Sequence, residues 1–334
     1  MGESHWMNTV VFFKNTEQFT QATEHIDFND FSDKSVPIKM HMGEVKNKYF
    51  TPPQFVKIIV NYLINKGATP FLTDTTVAYN APRKSVSGYK KVAYMHGFSK
   101  KKLGCEIIID DTGFPITIEN TIYQVAMHLY NASHIIAVSH VKGHPACGMG
   151  GAIKNLGMGG VTKETKQSIH QGARPVYHKQ SCTYCGVCAQ VCPFNALTVK
   201  PDTWEKNQKK CFGCGVCVDA CPEQSLSFEQ AHFQYALACA CKACVQDKTV
   251  VYVNDVNRIA RTCDCNPFAG PTIAPDIGYL LGTDPVAVDA ASLMLIDEVK
   301  ADVFRKTHHV DPWKQIHFGE QIGLGSSKYN LVEL

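Results

Sequence analysis

The first half of the chain alternates helix and strand signals. The stretch "TPPQFVKIIVNYLINKG" carries apolar residues at helical spacing, opens on prolines where a helix tolerates them, and ends at Gly67, a C-terminal cap. A β-like run, "TPFLTDTT", follows at once. The couple recurs as "YKKVAYMHG" then "CEIIIDD", and as "ENTIYQVAMHLYNA" then "HIIAVSH", each read as helix then strand. Such alternation predicts an α/β fold, a mainly parallel sheet with helices on both faces.

The rhythm breaks after residue 175. From Val176 to about Gln230 apolar periodicity is sparse and cysteine dense, and the α/β pattern resumes with "KTVVYVNDV". Further on, "GTDPVAVDAASLMLIDEV" reads as a helix capped by Asp284 with Pro285 at its first position. The expected organisation is therefore a host domain in two parts, residues 1–175 and 231–334, interrupted by an insertion at 176–230.

At 334 residues the chain has room for such a host and insert. Its 45% apolar and 19% charged content is ordinary for a globular protein. Net charge is only +3, and no basic run alternates with aromatics, so nucleic acid is not the favoured partner. The N-terminus lacks the basic start and long apolar run of a secretory signal, and no stretch of about 18 apolar residues offers a membrane span. The expectation is a soluble cytoplasmic protein without a membrane partner. A redox partner protein, a small-molecule substrate and a homodimer are the partners left open.

Cysteine changes this picture. Of fifteen cysteines, eight lie between residues 182 and 221, and the odd total argues against a closed disulfide framework. Within the insert, "CTYCGVCAQVCP" and "CFGCGVCVDACP" are one motif twice, displaced by 29 residues. Both have the C-x2-C-x2-C-x3-C-P spacing of a bacterial-type ferredoxin, in which the fourth cysteine ligates the other cluster. That rule assigns Cys182, Cys185, Cys188 and Cys221 to one 4Fe-4S cluster, and Cys211, Cys214, Cys217 and Cys192 to a second. Zinc sites use pairs of C-x2-4-C hooks, which fits these duplicated triplets less well.

Seven cysteines remain. Cys239, Cys241 and Cys244 fall in a helical stretch, where Cys241 and Cys244 share a face, and read as small buried apolar side chains. Cys263 and Cys265, flanking an aspartate in "TCDCNPFAG", are candidates for a redox pair or the ligands of an additional metal.

The stretch "HVKGHPACGMGGAIKNLGMGG", residues 140–160, is too glycine-rich for one helix. It follows a predicted parallel strand, so His140, Lys142 and His144 emerge at the carboxyl end, where open α/β sheets bind ligands. Gly148, Gly150 and Gly151 are expected to turn backbone N–H groups toward an anion, with Lys154 and Asn155 in the helix that follows. The pattern is neither the dinucleotide fingerprint nor the P-loop. After earlier strands come Lys39, His41 and Glu44, then Asp74, Thr75, Tyr79 and Arg83. Together these suggest one cleft: His41, His140, His144 and Lys154 as catalytic candidates, with Lys39, Asp74, Arg83, Lys142, Asn155 and the three glycines around a small anionic cofactor or substrate.

The segments "KMHMGE", "FLTDTTVAYNAPRKSV", "SHVKGHPACGMGGAIKNLGMG", "CDCNP" and "PDIGYLLGTDPVAVDAAS", with the cysteine repeat, resemble the domain-of-unknown-function-362 family in its ferredoxin-containing form, over roughly residues 35 to 300. The resemblance implies an iron-sulfur protein of anaerobic prokaryotes with no assigned general reaction. As an analogy, "GMGGAIKNLGMG" is similar to the lysine segment of nickel-pincer lactate racemases, which marks Lys154 as a cofactor lysine; the asparagine after it departs from that segment. The expected function is an oxidoreductase in which two clusters exchange electrons with a small anion held by the host. A dedicated electron carrier, or an assembly module with a docking α/β domain, and a pincer-type enzyme with structural clusters are the alternatives.

Overall fold

The strand expected at His134–His140 is buried along its whole length, as a strand inside a two-sided sheet must be. The structure, a computed structural model describing residues 8–26, 31–228 and 230–334, places it near the middle of an eight-stranded sheet. The strands are β1 (Asn8–Phe13), β2 (Ser35–Met40), β3 (Thr69–Thr75), β4 (Glu106–Asp110), β5 (His134–His140), β6 (Thr249–Val256), β7 (Gly278–Gly282) and β8 (Tyr329–Glu333). Their order is β8-β1-β7-β6-β5-β2-β3-β4. Only β7 runs against the others, so the sheet is mainly parallel as expected.

Alternation along β5 feeds two cores. Ile136 and Val138 pack with α1 (Pro53–Asn65) and α2 (Val86–Met95) on one face. Ile135 and Ala137 pack on the other with α3 (Ala152–Gly159), α4 (Lys163–Gln171), α5 (Gln230–Val245) and α6 (Pro285–Val299). The expected punctuation is present. The chain leaves α1 through Gly67 at φ 82°, and the Asp284 side chain caps α6 by accepting from the N–H groups of Val286 (2.8 Å) and Ala287 (3.1 Å). Cys239, Cys241 and Cys244 are fully buried on α5.

One element differs from the sequence reading. Residues 119–132 are not a helix: Thr121–Ala126 pairs antiparallel with Gly113–Ile118, and only Met127–Tyr130 is helical. Glu119 and Asn120 form the two-residue connection with φ of 46° and 59°, the left-handed pair that suits the twist of a hairpin. The β-branched and aromatic residues of "TIYQV" then favour the strand over a helix.

The cysteine-rich segment is a small unit of its own. Its entry and exit strands, Pro175–Tyr177 and Leu226–Phe228, pair with each other, and Cys188, Leu197, Cys217 and Leu226 form a separate core. The expected boundary near residue 230 falls beside Glu229, which lies outside the described residues. The sequence repeat of 29 is also a backbone repeat: left-handed residues recur as Tyr184 and Gly213, Gly186 and Gly215, and Asn195 and Gln224.

α3 is anchored from afar. The buried Asp289 carboxylate on α6 accepts from the N–H groups of Ala152 (2.6 Å) and Ile153 (2.9 Å) and from Asn254 Nδ2 (2.8 Å). The Asp289→Ala substitution leaves these buried donors without their acceptor and is expected to cost about 3 kcal/mol or more in denaturant unfolding. A loss well under about 1 kcal/mol would show that α3 does not depend on this cap.

Candidate functional site

The order of strands creates a crevice. From β2 the chain crosses to β3 by way of α1, whereas from β4 it returns to the other side of β2 as β5, across the opposite face. Ligands bind outside the carboxyl ends of strands at such a reversal. Asn155 of α3 bridges it, donating to Val138 O (2.9 Å), Ser139 Oγ (3.0 Å) and Lys39 O (3.3 Å). A cleft opens there.

Most of the expected residues converge on it. Lys39, His41, Asp74, Thr75, Tyr79 and Arg83 line one side, and Lys142, His144, Lys154 and Asn155 the other. Lys39 pairs with Asp74 (3.2 Å) and donates to Asn155 Oδ1 (2.6 Å). Arg83 donates to Glu44 (2.9 Å) and Tyr79 (2.5 Å), and lies 2.8 Å from His41 Nε2. These contacts use most of the guanidinium's donors, so Arg83 organises this wall.

His140 and the three glycines have other duties. His140 spends Nδ1 on Asp264 (2.8 Å) and Nε2 on Asn257 O (2.9 Å), which makes it a positioning residue outside the cleft. The helix N-terminus after the glycines is taken by Asp289, and a Cβ on Gly151 would come within 2.3 Å of that carboxylate. Gly148 packs against Val310 O and Pro312, and Gly150 against the stem of Lys154. The expected anion cradle is thus filled by the protein's own Asp289.

Asp264 shapes the opposite wall. Fully buried, it also pairs with Lys142 at 3.0 Å. Burial pushes its carboxyl up, but the charges of His140 and Lys142 outweigh this and hold it well below the usual carboxylate range. Cys263 and Cys265, on either side, face the cleft instead, and Lys154 Nζ lies 3.6 Å from Cys263 Sγ. A hydrogen bond from Cys265 draws the Cys263 thiol well below its ordinary value against burial, with help from Lys154 and Lys142.

Four functional residues were not singled out from sequence: Lys166, His170, Phe212 and Asp264. Lys166 and His170 stand one turn apart on α4, in "KETKQSIHQ", so their shared face was the available signal. Lys166 donates to Thr75 Oγ1 and Thr76 O (2.7 Å). Burial lowers it to about 7, outweighing the pull of Asp74 and aided by Lys39 and Arg83. Burial, with Arg83 beside His41 and Lys154 beside His144, likewise holds both imidazoles well below their ordinary value.

The cysteine repeat forms two cavities. One is lined by Cys182, Cys185, Cys188 and Cys221. The other is lined by Cys192, Cys211, Cys214 and Cys217. Phe212 belongs to the wall of this second cavity and to the wall of the cleft. His170 packs on its ring at 4.4 Å, Tyr79 meets it edge-on at 6.1 Å, and His170 Nδ1 bonds Gly213 O (3.1 Å). The buried His308 bonds Asp219 at 2.8 Å and Arg174 donates to Cys211 O (3.2 Å), tying the unit to the host.

The family described as "Domain of unknown function (DUF362)" matches residues 36–294. No curated protein matches the sequence. Among solved structures, a lactate racemase apoprotein from Thermoanaerobacterium thermosaccharolyticum aligns with a TM-score of 0.36 and 10% identity, over 75% of this chain and 51% of that one. A protein from Thermotoga maritima aligns with a TM-score of 0.42 and 9% identity, over 88% of this chain and 58% of that one. The chain thus spans little more than half the length of either.

Lys166 supplies a stability test. Its folded-state value of about 7 lies below the ordinary 10.5, so the unfolded chain binds more protons between these values and the group's contribution to stability rises with pH there. Lys166→Met, which removes the buried charge, is expected to gain most over wild type at about pH 6, and its advantage to shrink by about pH 9. Denaturant unfolding at both pH values measures this. An advantage that stays constant or grows would contradict the buried-charge account.

Proposed function

This chain belongs to the family of domain of unknown function DUF362, and from that premise we propose that it is an iron-sulfur oxidoreductase acting on a small anion in the host cleft. The observation that carries this is the pair of four-cysteine cavities, the second sharing Phe212 with the cleft.

The donors suit 4Fe-4S clusters. Each cavity joins one C-x2-C-x2-C triplet to the fourth cysteine of the other motif, the exchange that defines two-cluster ferredoxins. Zinc sites draw on pairs of C-x2-4-C hooks, whereas each cavity takes a C-x2-C-x2-C triplet from one motif and a single cysteine from the other. When bound, the clusters supply one-electron transfer. Cys185 is exposed, so the first cavity is the one a donor protein would reach from solution, while the second meets the cleft through Phe212.

The host residues account for the anion. Lys39, Arg83, Lys142, Lys154 and Lys166 bring five basic side chains to the cleft, against the three carboxylates of Asp74, Glu44 and Asp264 that pair among them. Among the described residues Lys154 and Lys166 have no carboxylate partner within ion-pair distance; an anionic ligand would supply one and would favour the charged form of Lys166, which burial lowers to about 7. His144, held neutral by burial and the charge of Lys154, has its Nδ1 engaged by the Ala146 N–H (3.1 Å), and its Nε2 would exchange a proton with the ligand, while His41 is held by Arg83 (2.8 Å) and the Gly43 N–H (3.0 Å) and shapes the wall. A dedicated electron carrier would not need buried lysines in a closed crevice, whose desolvation costs stability.

Anoxically purified protein is expected to carry about eight irons per chain and to show a reduced-cluster EPR signal. The cross-assignment adds a sharper expectation. Cys192→Ser should disturb the same signal as Cys214→Ser, and Cys221→Ser the same signal as Cys185→Ser. Zinc in place of iron, or Cys192→Ser acting with the Cys182 set, would overturn the reading.

A further inference from the structure

Cys263 and Cys265 stand outside both cysteine cavities. Among the described residues they are the only cysteines that line the cleft, and the reading above gives them no task. Their geometry is specific. A turn closed by the Asn266 N–H to Cys263 O (2.8 Å) carries both residues, and Cys265 N donates to Cys263 Sγ (3.4 Å). Asp264 points the other way, into His140 (2.8 Å) and Lys142 (3.0 Å), so the turn cannot swivel without breaking a buried hydrogen bond and a buried ion pair.

The surroundings favour sulfur redox chemistry over metal binding. The Lys154 ammonium, 3.6 Å from Cys263 Sγ, would repel a cation and favour a thiolate there. The pair also lies on a continuous path from the cysteine-rich unit. Phe212 meets the Tyr79 ring at 6.1 Å, and the Tyr79 hydroxyl donates to Cys265 O at 3.3 Å.

We propose that Cys263 and Cys265 form a dithiol–disulfide couple that collects two electrons from one-electron iron-sulfur donors and passes them as a pair to a small anionic disulfide in the cleft. The inference rests on the iron-sulfur reading for its reductant. In the charging step two electrons and two protons enter the Cys263–Cys265 S–S bond and leave two thiols. In the discharging step one of the pair, as its thiolate, attacks a substrate sulfur, and the first substrate thiol leaves with a proton. The other then attacks the resulting mixed disulfide, so that the second substrate thiol departs and the Cys263–Cys265 bond re-forms. Two single electrons thus match one disulfide reduced, and the cationic wall selects disulfides that carry carboxylates.

Anoxic holoprotein tests this in stages. Iron analysis comes first: a chain without about eight irons sinks the iron-sulfur reading, whatever the sulfur pair does. The tryptic peptide from Thr262 to Lys300 contains these two cysteines and no other, so its mass reports their state in wild-type protein with no variant needed. After mild oxidation with thionin it is expected to resist alkylation and to weigh two hydrogens less than the dithiol; after dithionite both cysteines are alkylated. The Cys263→Ser/Cys265→Ser double variant should take up two fewer electrons per chain at unchanged iron, while Cys105→Ser takes up as many as wild type. Dithiodipropionate is expected to reoxidise the reduced pair with release of two thiols, and neutral hydroxyethyl disulfide to do so at least about tenfold more slowly. Full alkylation of the thionin-treated peptide, with equal electron uptake by wild type and double variant, would overturn the couple. Equal rates with the two disulfides would overturn the anionic substrate.

Discussion

The buried carboxylate of Asp264 orders the functional half of this molecule. It lies between His140 and Lys142, which leave the end of a central strand, and it sits on the turn that carries Cys263 and Cys265. Burying such charges is expensive, and an unpaired one is costlier still, so the three groups stay together or the region opens. Their pairing fixes which way the turn faces. It sends both thiols into the cleft and retires His140 from any chemistry of its own.

A second constraint acts through Phe212. The cysteine-rich unit meets the host where this ring fills the wall between the inner cysteine cavity and the cleft, with His170 packed on one side and Tyr79 at its edge. His308–Asp219 and Arg174–Cys211 hold the unit against the host from two further directions. An appended carrier domain would need no such seating. The same wall keeps water from a group of lysines and histidines whose protonation is set by burial, and a ligand with negative charge balances what burial leaves uncompensated.

Much of this was legible in the sequence because it is written in local pattern. The strands at 69–75, 134–140 and 249–256, the capped helix from Pro285 and the repeat of 29 each announce themselves within a short window. The segment at 119–132 was misread as a helix because its apolar residues satisfy both periods; the Glu-Asn turn that decides between them lies at its edge. The glycine-rich stretch was misread as a cradle for a bound anion for a different reason. Its anion is Asp289, 137 residues away, and no local signal reports a partner at that distance. Asp264 was likewise passed over between its two cysteines, although its side chain decides where they point. Residues that act through tertiary pairing are those a one-dimensional pattern hides.

The central claim is that two four-iron groups sit in the cysteine cavities and that the inner one abuts the cleft at Phe212. Anomalous scattering at the iron edge from crystals grown and kept without oxygen tests it most directly. The account predicts two compact groups of about four irons, one among Cys182, Cys185, Cys188 and Cys221, the other among Cys192, Cys211, Cys214 and Cys217 beside Phe212. A single scatterer in each cavity that responds at the zinc edge and not at the iron edge would contradict it.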